Sequence, residues 1–296
     1  MTRHLIINAD GYGFTPGITR AIDECVAFGT VRSISANVNF PDAEKIVPLV
    51  RSHPDLSVGC HLNPVVGRPL LPPDRVRSLV DREGFFFYRS FTRRFLRGEI
   101  RRDELRAELA AQIARTRELA GAAFSHVDFH MGLHRLPRLY ALFLEAAEAS
   151  GVGRIRTHRY RVGMETGWPR LAHAAHLVRS PGRAPRYAWN LLLRAKALAR
   201  GFAMPDRWVE ITRMGRRPGS IGLEPFVRML ANVPEGFSEF VTHPAYVDEE
   251  LRRWSTYLEP REEERRVLLD PEFREALRAS GVRLAGYRDI PRRRAA

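Results

Sequence analysis

The sequence predicts an α/β protein built on a distorted TIM-like (β/α) barrel, a single domain carrying two insertions. Three observations point there. Short apolar, β-rich runs alternate with amphipathic helical patterns, which calls for a parallel sheet. Polar residues gather where the strands should end, as they do at the active face of such barrels. The length, 296 residues, suits one barrel better than two ordinary domains. An open doubly wound sheet is the second choice.

The elements follow in order. Residues 4–9 (HLIINA) read as a buried strand, and 19–28 as a helix stopped by Gly29. A strand at 33–40, a helix at 42–52 and a strand at 56–62 come next. Leu105, Leu109 and Ile113 give residues 103–119 a helical period. Strands are then expected at 124–129, 153–157, 208–211, 237–242 and 282–286, with helices at 138–149, 224–231 and 261–279. The insertions cover about 64–98, which holds LLPPD and GFFFY, and about 165–207, rich in Arg and Leu.

Composition narrows the function classes. A hydrophobic share of 44% and a charged share of 28% are those of a globular protein. No apolar run approaches the roughly 20 residues of a membrane span, and MTRHLIINAD does not read as a signal peptide. A cytoplasmic enzyme is the expectation. The formal charge is +14. Lys45 and Lys196 are the only lysines, so arginine supplies nearly all the positive charge. These charges are spread along the chain and no nucleic-acid motif is present, so nucleic acid is not an expected partner. Within the second insertion, YAWNLLLRAKALARGFA is basic and amphipathic. It could lie on a membrane surface; a lid or subunit contact is the preferred reading, and a homo-oligomer fits it. Cys25 and Cys60 form no CxxC pair and read as small buried residues.

Four polar groupings fall at strand ends: Asn8-Ala9-Asp10, Gly59-Cys60-His61, His126-Val127-Asp128-Phe129-His130 with His134 after it, and Thr242-His243-Pro244. These residue types suit metal-assisted hydrolysis. Neutral imidazoles bind divalent cations and leave room for a water. A carboxylate can accept a proton from that water, and a further histidine can protonate the leaving group. Alternation along HVDFH sends His126, Asp128 and His130 to one face, with Asp128 a candidate partner for a ligand histidine. Arg156 follows a strand and is a candidate for holding a substrate hydroxyl or phosphate.

The groupings, in this order, resemble the YdjC-like carbohydrate deacetylases over nearly the whole chain. NADGYGFTPGITRAI, GCHLNPVVGRPLLP, SHVDFHMGLHRLP and VTHPAYVDEEL carry the resemblance. It implies a distorted β/α barrel that removes an N-acetyl group from an amino sugar, oligosaccharide or glycolipid. It also implies a divalent cation, often described as magnesium, held by an aspartate and two histidines. Carried over by position, His61 and His130 become metal ligands and Asp10 the general base. His243 is the candidate acid, His134 and Arg156 contact substrate, and Asp128 supports a ligand or replaces one. One departure matters. Gly11 stands where the family has a second aspartate, and Phe129 and Met131-Gly132 replace more polar residues. Losing a carboxylate weakens a site for Mg²⁺ most, and two histidines favour zinc or a similar ion. The alternative is a glycan- or partner-binding protein without turnover.

Overall fold

The computed structural model describes residues 2–179 and 182–292. Its centre is a parallel sheet of eight strands: β1 (Arg3–Tyr12), β2 (Ser33–Ala36), β3 (Ser57–Leu62), β4 (Phe124–Phe129), β5 (Tyr160–Val162), β6 (Arg207–Glu210), β7 (Gly236–Thr242) and β8 (Arg283–Leu284). The order is β4-β3-β2-β1-β7-β6-β5, with β8 beside the start of β1. Helices α1 (Pro16–Phe28), α2 (Ile46–Ser52), α3 (Phe91–Leu96), α4 (Arg102–Ala120) and α5 (Leu139–Ala149) accompany the first half. Helices α6 (Pro169–Val178), α7 (Arg183–Ala199), α8 (Leu223–Ala231), α9 (Glu249–Trp254), α10 (Glu259–Leu268) and α11 (Pro271–Ala279) accompany the second.

The architecture is the expected α/β barrel class, with its wall incomplete at one place. Among the described residues, no continuous ladder joins β4 to β5. Single parallel bridges, Val127 to Ile155 and Arg154 to Ala203, span that gap. Residues 153–157, expected as a strand, supply only these bridges, and the ladder starts later, at Tyr160. Gly151 and Gly153 both have positive φ, which turns the chain just before this segment. The helix expected over 261–279 is two helices. Pro271 cannot continue a helix, and the Asp270 side chain accepts the Glu272 N–H at 2.8 Å to begin α11. The second insertion forms α6 and α7. The first forms short turns, one bridge between Val80 and Phe86, and α3.

Strand β1 is buried from Leu5 onward, as a parallel strand covered on both faces should be. Register across the sheet aligns Asp10 with Ser35, Ser35 with Gly59, and Gly59 with His126. One step on, His61 sits opposite Asp128. Side chains distant in sequence therefore meet in two adjacent rows. β1 also carries a bulge: the register against β2 shifts between Asp10 and Tyr12. Gly11 is the extra residue, with φ at 102°.

Gly59 shows how tightly these rows are packed. A Cβ there would collide with the His126 ring, whose other face stacks on Tyr287 at 3.7 Å. Gly59→Ala should cost about 1–3 kcal/mol of stability by overpacking. Urea denaturation checks this; an unchanged midpoint would show that the imidazole can move aside.

Candidate active site

Strand ends from β1, β3, β4 and β7 deliver one buried cluster. Asp10, His61, Asp128, Arg156 and Glu239 are each at most 5% exposed. At its centre the Arg156 guanidinium meets three carboxylates. It donates to both Asp10 oxygens, Nη1 to Oδ2 at 2.8 Å and Nη2 to Oδ1 at 2.6 Å. Nη2 also lies 2.7 Å from Asp128 Oδ2, and Nε donates to Glu239 Oε1 at 2.8 Å. Uncharged donors complete the set. Asn8 Nδ2 donates to Asp10 Oδ1 (2.7 Å) and to Ser35 Oγ (2.8 Å), and Ser35 Oγ donates to Asp128 Oδ2 at 2.8 Å. Ser33 Oγ donates to the Asn8 side-chain Oδ1 at 2.6 Å.

The charges follow from this geometry. Burial alone would raise Asp10, but Arg156, with His61, holds its carboxyl well below the ordinary range. Asp128 is lowered in the same way, Arg156 and His61 outweighing burial. Glu239 has less compensation, and burial lifts it to about 7. His61 would be lowered by burial, yet the Asp128 and Asp10 charges raise it.

Two imidazoles stand beside these carboxylates. His61 Nδ1 pairs with Asp128 Oδ1 at 2.8 Å, which leaves Nε2 for a ligand. The His130 ring stands edge-on to that of His61, centroids 5.2 Å apart, and also touches Phe14. Burial, with His61 next, lowers His130 to about 3, so it rests neutral with a lone pair to offer. The alternation expected along HVDFH is cut short, because β4 ends at Phe129 and His130 opens the following 3-10 turn. His243 borders the cluster. Its N–H donates to Glu264, and burial beside Arg261 lowers its ring to about 3.

Asp10, His61 and Asp128 each offer a ligand atom, all within 4.8 Å of one another. The donors fit a divalent cation. His61 presents Nε2, His130 is neutral, and carboxylate oxygens lie beside them. The two carboxylates already share Arg156, however, so the nitrogen donors are the less committed ones. Gly11 adds nothing: a Cβ there would meet only Ile18 of α1.

The other expected residues lie elsewhere or serve differently. Arg156 is turned inward, its donors engaged by carboxylates. His134 is buried outside the cluster, its ring 4.6 Å from Phe143 and 4.9 Å from His158, with both nitrogens unpartnered. Sequence reasoning did not find Ser35, Glu239, Arg261 or Glu264. Glu239 is the one with a readable signal, an acid inside the apolar run FSEFV.

Arg156→Met would leave buried carboxylates without their cation. We expect a loss of about 3–5 kcal/mol in urea denaturation, part of it recovered by adding Glu239→Gln. A loss below about 1 kcal/mol, the level of an exposed pair, would mean that the guanidinium is not the counter-charge.

Comparison with known proteins places the chain in a family. The family model described as YdjC-like protein matches residues 4–279. A carbohydrate deacetylase of Thermoanaerobacter pseudethanolicus is 28% identical, covering 96% of this chain and 98% of its own. One from Mus musculus is 31% identical over 98% and 96%. A crystal structure from Enterococcus faecalis V583, provisionally described as a cellobiose-phosphate cleavage protein, superposes with a TM-score of 0.72 at 27% identity. It covers 97% of this chain and 98% of the other. With its histidine and aspartate strand ends drawn together as the sequence motifs require, the chain belongs to the YdjC-like family.

Proposed function

We propose that this chain is a carbohydrate deacetylase that hydrolyses the N-acetyl amide of an amino sugar, free, in an oligosaccharide or on a glycolipid. The observation that carries the reading is the imidazole pair, His61 and His130, set beside a buried and ionised carboxylate. The full-length relatives named carbohydrate deacetylase support it.

A divalent cation held by His61 Nε2 and His130, with an oxygen of Asp10, would polarise the acetyl carbonyl and make the attacking water more acidic. The chain's own residues do the rest. Asp128 accepts the Nδ1–H of His61 and fixes its tautomer. Arg156 acts through Asp10 and Asp128 as a positioning residue. Asp10 orients the water as its hydrogen-bond acceptor; held by Arg156, it keeps little affinity for a proton. His243 is neutral at rest and is placed to carry the proton from the water to the departing amine; burial lowers its own proton affinity, and the Asp10 charge offsets part of that while the imidazolium exists between those steps.

The test is acetate release from a panel of N-acetylated saccharides, with and without EDTA. EDTA should abolish release, and His61→Ala or His130→Ala should reduce it by at least about 100-fold. His243→Ala should lower kcat by about 10²–10⁴-fold while metal binding persists. No acetate with any divalent metal, alongside retained sugar binding, would instead support the glycan-binding reading that Gly11 motivates.

A further inference from the structure

The hairpin of α6 and α7 has a surface that the fold leaves uncovered. Along α6, Leu171, Ala174 and Val178 recur at helical spacing on the solvent side, preceded by Trp168. Trp168 is 75% exposed, Leu171 66% and Val178 82%. Along α7 the inward residues are Asn190, Leu193 and Ala197. Its outward residues include Ala184, Ala188, Leu191, Leu192, Ala195 and Ala199. The solvent sides of both helices thus mix apolar residues with cations, where a surface helix is ordinarily polar. Exposed apolar stripes on this scale mark a contact surface.

The charge around these stripes is one-sided. Residues 166–205 contain seven Arg and Lys and no Asp or Glu. Arg170, Arg179 and Arg186 are exposed and form no ion pair among the described residues. Between α5 and α7 lies a cleft of about 590 Å³, with Tyr140, Leu144 and Trp189 in its wall and Arg138, Lys196 and Arg200 also lining it. Apolar wall and cations together match an anionic amphiphile.

We infer that this hairpin docks the protein on an anionic phospholipid surface. The aliphatic stripes enter the headgroup boundary while the arginines meet lipid phosphates. A second copy is disfavoured as the occupant, because pairing this face with itself would oppose cations with no acid in either hairpin. Nucleic acid would use the cations but gains nothing from Leu171, Val178 or Leu192. Trp189 Nε1 donates to the Arg135 carbonyl at 2.9 Å, so the hairpin packs on the turn that begins with His130. The docking face adjoins the strand ends without belonging to the polar cluster, and it does not depend on the proposed chemistry.

Vesicle flotation of the full chain tests this, using phosphatidylcholine alone or with about one-third phosphatidylglycerol. We expect at least about tenfold more protein on the anionic vesicles, declining with salt. Trp168 emission should shift to the blue on binding, and Trp168→Phe should remove that component. The variant Leu171→Glu/Val178→Glu/Leu192→Glu should lose about tenfold in binding; should it misfold, Arg170→Glu/Arg179→Glu/Arg186→Glu reads out the same face. No enrichment on anionic vesicles would overturn the inference. So would unchanged binding by a folded variant, or sedimentation showing that this face instead pairs two copies.

Discussion

The site depends on one buried cation. Arg156 comes from the segment that bridges β4 to the rest of the wall, and its guanidinium reaches carboxylates on β1, β4 and β7. Three carboxylates with almost no water would otherwise take up protons, because burying an unpaired charge costs several kcal/mol. With Arg156 in place, Asp10 and Asp128 stay ionised. Asp128 then orients His61, and the imidazole pair is presented in a defined state. One ion cluster therefore sets both the local wall of the barrel and the protonation of the groups above it. Its worth to stability is the smaller part of its role; its geometry decides what the strand ends can do.

Much of this was legible in the sequence, for a physical reason. Strand ends on one face of a barrel converge, so polar residues closing apolar runs can be gathered without a structure. Asp10, His61, Asp128 and His130 were found that way. The partners of Arg156 were not, because pairing across the sheet leaves no local trace. Ser35 looks like an ordinary strand residue. Glu264 sits in the charged run PREEERR on α10 that reads as a solvated face, yet it is fully buried and holds the His243 backbone. The strand expected at 153–157 failed because periodicity cannot see a wall reduced to single bridges. The long helix expected over 261–279 divides because Pro271 stops it locally, inside an apolar period that continues on both sides.

Gly11 looks different once the bulge is visible. It is the unpaired residue where β1 shifts register against β2, and its positive φ suits glycine. A Cβ in this backbone would lie against Ile18 of α1, and glycine itself has no carboxylate to offer a cation. What the site keeps is its nitrogen donors and two carboxylates tied to an arginine. That balance favours a borderline cation over a hard one.

Calorimetric titration of metal-free protein with Zn²⁺ and with Mg²⁺ tests this most directly. The account predicts one zinc per chain, bound at least about 100-fold more tightly than magnesium, and lost in His61→Ala. Magnesium binding as tight as zinc, or zinc binding unchanged in His61→Ala/His130→Ala, would contradict it.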